Sequence, residues 1–232
     1  QMFRLRNPEN IVDLKLWKLK AGDLIYDEVL RANNISSIES IDWNVFNILV
    51  RSWTYYFQYE LVFKLGNYSY YISTHTCYPQ YGLLCRVALK HRVKVIETTD
   101  IQNSAYDKID EKHLPTYHHG IKTQVSSALN SNAQKLKIRE NRAKISLAKR
   151  INSEIKQIDA QKAYSGKVYT KEIICRTLGI DTNNKIGIVA AHIFKDSPHL
   201  SPSMIFRDYY KWLVKSLDYC AQSKKVHWIV KP

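Results

Sequence analysis

IGIVAAHIFKDSPHL, residues 186–200, decides how the chain is read. An apolar run from Ile186 to Ala191 breaks into a cluster of His192, Lys195, Asp196 and His199. Such a run, without polar alternation, predicts a strand buried on both faces of a parallel sheet. Polar groups at the carboxyl end of such a strand lie where open α/β sheets take their ligands. A helix is expected next, from about Ser203 to Ala221, and then a second apolar run, KVHWIVKP, residues 225–232. The result is a strand–loop–helix–strand unit with cations and a carboxylate at its mouth. It stops at Lys231-Pro232 inside an element, so the sequence reads as a piece of a longer protein.

Upstream lies a second unit of the same kind. NYSYYIST, residues 67–74, is aromatic and β-branched and predicts a strand. His75, Cys77 and Tyr78 follow in a loop, and Pro79 suits a helix start. Leu83, Leu84, Val87 and Ala88 continue at helical spacing, and Val93 to Glu97 returns as a strand. The polar loop again falls at the carboxyl end of the first strand of a βαβ unit.

Around these units the chain is mainly helical. GDLIYDEVLR, residues 22–31, reads as a turn entering a helix, with Asp23 favourable at its positive end. Ser37 to about Lys64 reads as a long aromatic helix on Ile41, Val45, Ile48, Leu49, Trp53, Tyr56 and Phe57. Residues 98–125, with His118-His119-Gly120, read as a loop. Ser126 to Ile158 reads as a long helix capped by Ser126 or Ser127. Leu129, Ala133, Leu136, Ala143, Leu147, Ile151, Ile155 and Ile158 share one of its faces. Its other face carries Lys135, Lys137, Arg139, Arg142, Lys144, Lys149 and Arg150 against Glu140 alone. Residues 159–184 approach the last unit through Gly166, Gly179 and the turn-like Asp181-Thr182-Asn183-Asn184. The opening, Gln1–Lys20, has no clear period. The expected fold class is α/β with two Rossmann-like lobes, both incomplete. Residues 1–125 form the first, 126–165 a basic helix and linker, and 166–232 the start of the second.

Thirty-five basic residues against 21 acidic give a net charge of +14, which calls for anionic partners. Cys77, Cys85, Cys175 and Cys220 form no CxxC pair, which speaks against a zinc site and for free thiols in a reducing compartment. No stretch approaches a membrane span and no signal peptide opens this piece of sequence; the free thiols fit a cytoplasmic location.

Four stretches carry a resemblance: GDLIYDEVLR (22–31), STHTCYPQYGLLCRVAL (73–89), AAHIFKDSPH (190–199) and VHWIVKP (226–232). Their order and spacing resemble bacterial surface-carbohydrate glycosyltransferases of the capsule polysaccharide biosynthesis kind. The last stretch looks like the start of a Trp-x-x-Lys-Pro-His-Pro motif, cut before its His. Val29 departs from the pattern, where an aromatic is expected. The resemblance implies a GT-B-like arrangement with the nucleotide-sugar held mainly by the C-terminal lobe. It implies transfer of a sugar to a capsule or lipopolysaccharide glycan, with a polysaccharide or lipid-linked acceptor. Separately, the basic stretch Gln134–Arg150 is expected to attract a membrane or another polyanion, giving peripheral contact with the inner face of an anionic membrane. No Asp-x-Asp metal motif occurs, and such enzymes generally work without a metal, so no cofactor is expected.

Glycosyl transfer needs a base for the acceptor hydroxyl, at least in inverting enzymes, and positive charge at the leaving phosphate. On that reading His192, Lys195, His199 and Lys231 bind the donor. Asp196 accepts from a sugar hydroxyl or serves as a base. His75 is the acceptor-side base, with Tyr78 and Arg86 binding the acceptor. Four of them have a plainer alternative: Asp196 as a loop cap, His192 as a satisfied strand-end histidine, His75 as a backbone-bonded histidine, and Arg86 in a surface ion pair. Tyr26, Asp27 and Arg31 read as structural ties. Two other functions compete, a basic nucleic-acid-binding module and a non-catalytic scaffold of a polysaccharide synthase. Against nucleic acid, the basic helix interleaves no aromatics and no recognisable motif occurs.

Overall fold

The computed structural model describes residues 7–98, 103–106, 126, 129–130, 132–152, 154, 169–200, 204–223 and 225–231. It is mixed α/β. The chain divides into two compact units. One comprises Gln1–Ile121, Val189–Ser223 and Val230–Pro232; the other comprises Lys122–Ile188 and Lys224–Ile229. Residues 189–223, expected with the third segment, thus group with the first.

The described residues begin with a 3-10 turn, Pro8–Ile11, whose cap Asn7 accepts from the Glu9 N–H. A two-residue antiparallel pair follows, β1 (Lys15–Leu16) and β2 (Leu19–Lys20). Helix α1 (Gly22–Asn33) is the hub, with every residue from Gly22 to Leu30 buried. Gly22 is obligatory there, because a Cβ would stand 1.9 Å from the Ile11 carbonyl oxygen. Helix α2 (Trp43–Leu65) begins at Asp42 rather than Ser37; the Asp42 carboxylate accepts from the Val45 N–H at 2.9 Å. Its inner face, including Val45, Ile48, Leu49, Tyr56 and Phe63, joins the core with Ile25, Tyr26, Val29 and Leu30 of α1.

The upstream βαβ unit forms as its sequence predicts. Strand β3 (Tyr70–Ser73) leads through a π-helical turn, Tyr78–Leu83, into α3 (Leu84–Lys90) and then β4 (Lys94–Thr98). β3 and β4 are parallel, from Tyr70 opposite Lys94 to Ser73 opposite Glu97. Asn103–Tyr106, expected as loop, is instead a strand, β5, antiparallel to β4. It supplies the hydrogen-bond partners for the second edge of β4. Residues 107–125, including His118 and His119, lie outside the described residues.

Helix α4 (Ala133–Ile151) is the basic helix, and its cap is Asn132, accepting from the Lys135 N–H at 2.9 Å, not Ser126 or Ser127. None of its residues is buried. The Ile155–Ile158 part of the expected apolar face and Gly166 lie outside the described residues. Helix α5 (Lys171–Leu178) was not expected; Thr170 caps it and Gly179, left-handed at φ 65°, ends it. The turn at Asp181–Asn184 forms, with Asp181 accepting from the Asn183 and Asn184 N–H groups.

Strand β6 (Lys185–Ala190), helix α6 (Tyr209–Ala221) and strand β7 (Val226–Lys231) complete the strand–helix–strand unit. β6 and β7 pair with each other. Their contacts advance in the same direction, from Asn184 on His227 to the Ala191 N–H on the Lys231 carbonyl, as in a parallel pair. Burial on both faces, however, is not found: Ile188 is 65% exposed and only Val189 is buried in β6. The apolar run encodes a strand, but two strands without further neighbours among the described residues cannot cover it. Helix α6 starts after Asp208, whose carboxylate accepts from the Lys211 N–H at 2.7 Å, later than the expected Ser203. All four cysteines are free; Cys85, Cys175 and Cys220 are buried. Among the described residues no helix is long and apolar enough to cross a membrane.

Candidate functional site

The loop leaving β6, residues 191–200, packs against α1 within one compact unit. The anchor is Asp208, fully buried at the start of α6. It accepts from the Tyr26 and Ser37 hydroxyls, each at 2.7 Å, and caps the helix. Arg207 lies 3.6 Å from it and donates to Ser37 at 2.9 Å. Burial and the hydrogen bond to Asp208 raise the Tyr26 phenol well above its ordinary range. This network fixes α6 on α1 and so fixes the loop between β6 and α6.

Within that loop, His199 meets Asp27 of α1. Its Nδ1 lies 2.6 Å from Asp27 Oδ1, its backbone N–H donates to Oδ2 at 3.2 Å, and its ring stands edge-on to Tyr26. Both side chains are almost fully buried, His199 at 10% and Asp27 at 2% exposure. Burial pushes the Asp27 carboxyl up to about 6, against the hydrogen bond and charge of His199 and with the neighbouring Asp23 adding to the rise. A carboxylate on Nδ1 fixes the ring and leaves Nε2 as the nitrogen available for other chemistry. Asp27 was expected to be structural only, and its partner, 172 residues along the chain, gave the sequence no way to reveal the pair.

Two further groups converge here. Cys77 and Tyr78, from the loop after β3, lie within hydrogen-bond reach of Ser197. Burial raises the Cys77 thiol and the Tyr78 phenol, while Ser197 acts in the opposite sense. Arg31 lies over the Tyr78 ring at 4.2 Å and pairs with Glu28 at 2.7 Å. Asp196, exposed, is close enough to raise both Tyr78 and Tyr209 electrostatically. His192 stacks on Tyr209 at 4.4 Å, with Nδ1 3.1 Å from the Ile193 carbonyl. Lys195 donates to Asn34 Oδ1 at 2.5 Å. Asn34, Tyr78 and Ser197 all hold left-handed φ, at 53°, 60° and 43°. Asn34 holds it as the C-cap of α1, where asparagine is readily accommodated; at Tyr78 and Ser197 such backbone costs about 1–2 kcal/mol each, so packing holds two strained positions there.

Beside these groups opens a 450 Å³ cavity between Asn34–Ser36, the Ala191–Lys195 loop, Leu213 and Val230. It lies at the carboxyl end of β6, within the size range of small-molecule sites, roughly 300–1,000 Å³. Its walls are largely apolar, with His192 and Lys195 as the basic groups. Lys231, exposed, follows Val230 of the wall.

The remaining expected residues sit elsewhere. His75, exposed, follows β3 in a turn closed by Ser73, whose hydroxyl donates to the His75 carbonyl at 2.6 Å; its ring faces Tyr81. Arg86 is a correction. Expected at a surface reaching for an acceptor, it is 2% exposed and clamps Asp23 with both terminal nitrogens, at 2.7 and 2.5 Å. It also donates to the Lys20 carbonyl at 2.9 Å. Its helix turns inward here, and a buried guanidinium needs a carboxylate partner. Comparisons with known protein families, with curated proteins and with solved structures found no match to this chain.

Proposed function

We propose that this chain is the sugar-transferring part of a cytoplasmic glycosyltransferase. It moves a sugar from a nucleotide-sugar to a growing capsule or lipopolysaccharide glycan. The observation that carries this reading is the cavity at the carboxyl end of β6, with His192 and Lys195 in its wall and, further along the same loop, His199 paired with Asp27 of α1. The sequence resemblance in the same stretch supports it. The two-lobed GT-B arrangement is part of the proposal.

In this reading the cavity takes the nucleotide end of the donor, and Lys195, His192 and Lys231 meet its phosphates. His199, oriented by Asp27, offers Nε2 to the leaving diphosphate. Positive or hydrogen-bonding groups fixed in a partly dry site stabilise developing phosphate charge without reorganisation. Asp196, exposed beside Tyr78, accepts from a sugar hydroxyl. His75 takes the acceptor proton, and Tyr78 lines the acceptor side. Arg86 has no part in binding; it holds α3 to α1.

The test is turnover in the full-length protein. Asp196→Ala and His199→Ala should each lower the transfer rate at least roughly tenfold, about 1.4 kcal/mol in barrier. Near-wild-type rates in both would remove the loop from the reaction.

A further inference from the structure

Helix α2 turns Val45, Ile48, Leu49, Ser52, Tyr56 and Phe63 into the core. The side turned directly away from the core is not polar. Trp43, Val50, Phe57, Leu61 and Leu65 lie on it within about 80° of arc, at roughly 100° of turn per residue. They are 70%, 45%, 59%, 56% and 77% exposed. Between them stand Asn47, Thr54 and Gln58, which carry no charge. The Thr54 hydroxyl donates to the Val50 carbonyl at 3.1 Å and is satisfied within the helix. The nearest cations stand at the margins: Arg51, bound to Glu28 at 2.7 Å, and Lys64. A chain of net charge +14 thus carries an uncharged, largely apolar stripe along a helix of 23 residues. An ordinary surface helix puts charged and polar residues on that side.

We propose that this stripe is the contact face of a homodimer, with α2 packed antiparallel on the α2 of a second copy about an axis at Thr54. The proposal does not depend on glycosyl transfer. From Trp43 to Leu61 the stripe advances through Asn47, Val50, Thr54 and Phe57 in alternating steps of four and three, the seam spacing of paired helices. It is also self-complementary. An antiparallel pair centred on Thr54 sets Trp43 against Leu65, Val50 against Phe57, and Thr54 beside its own mate. Lys64 then arrives near Asp42 of the second copy, at the start of its helix, where the opposed helix dipoles also attract. Two copies of so basic a chain repel over most of their surface, and this uncharged face is where they can close. An acidic partner, which the net charge would attract, meets no cation within the stripe. The five apolar side chains expose about 600 Å² per copy, so a pair buries roughly 1,200 Å², the lower end of stable interfaces.

Sedimentation equilibrium of the full-length protein, beside its Phe57→Glu/Leu61→Glu variant, tests this. The native protein should be a dimer, and the variant should dimerise at least roughly 100-fold more weakly. Both substitutions fall at exposed positions, so the urea midpoint of the dissociated variant should match that of the dissociated native protein. Thr54→Cys checks the register. Under copper-catalysed air oxidation it should give a disulfide-linked dimer, whereas Val50→Cys, set away from its own mate, and the native protein should not. A native monomer would overturn the proposal, as would a dimer that survives the double substitution. Equal cross-linking of Thr54→Cys and Val50→Cys would overturn the antiparallel pairing. A double variant that unfolds would show the stripe to be covered by the protein's own chain, and would also overturn it.

Discussion

Arg86→Met removes a guanidinium while keeping most of the side-chain volume, and the structure says what is left behind. Asp23 is 9% and Arg86 2% exposed, and the guanidinium supplies two hydrogen bonds to the carboxylate and one to the Lys20 carbonyl. Burial pushes Asp23 up, but the charge and hydrogen bonds of Arg86, helped by Lys20 and His199, outweigh it and hold the carboxyl below its ordinary value. In the native protein Asp23 therefore contributes stability above its unfolded value of 3.8, lost as the pH falls through the lower folded value. Without Arg86 only the burial effect is strong, so the sign reverses. The variant binds the Asp23 proton more tightly folded than unfolded, and its stability falls as the pH rises. Breaking one partner of a buried pair costs about 3–5 kcal/mol, a large part of the roughly 5–15 kcal/mol of an ordinary domain. Urea denaturation followed by tryptophan fluorescence should show that loss at neutral pH and a smaller one at pH 5. Adding Asp23→Asn to the variant should recover part of it, since the uncompensated charge is gone. A variant of native stability with impaired acceptor use would refute this reasoning and return Arg86 to the acceptor side.

Asp27 differs in sign from Asp23. Burial raises its carboxyl from 3.8 to about 6, so its contribution is full below the unfolded value and is lost as the pH rises through about 6. Asp27→Asn should flatten that part of the stability profile between pH 4 and 7, measured by urea midpoints; an unchanged slope would show that Asp27 is not the titrating group. His75→Ala, at an exposed turn, should cut turnover by ~10²–10⁴-fold, the usual weight of a general base. Donor affinity by calorimetry should hold, and its loss would move His75 out of the acceptor role.

Local chemistry was readable in the sequence where local groups decide the outcome. The aromatic and β-branched NYSYYIST and the run after Val93 became the parallel pair β3–β4. The bodies of α2, α4 and α6 were legible from their apolar spacing, but their starts were not. Each of the three lies at an Asp or Asn whose side chain bonds the N–H three residues on: Asp42, Asn132 and Asp208. Serines upstream offered the same kind of cap, and the acidic or amide residue directly preceding the first turn was the better signal. The exposed state of β6 was not legible, because burial depends on what packs against a strand. The core of the candidate site was half legible. His192, Lys195, Asp196 and His199 announced themselves as a cluster, whereas Asp27 and Asp208 act through partners roughly 170–180 positions away. The same holds for Arg86, whose partner Asp23 lies on a different helix.

The central claim is that the cavity at the end of β6 receives a nucleotide-sugar. Equilibrium binding of labelled uridine and cytidine nucleotide-sugars to the full-length protein, competed by the free nucleotide, addresses it most directly. The account predicts saturable binding to one of the two classes. It should weaken at least roughly tenfold, about 1.4 kcal/mol, in Lys195→Ala and in His199→Ala, and remain unchanged in His75→Ala. Failure to bind either class, or binding indifferent to both loop substitutions, would contradict it.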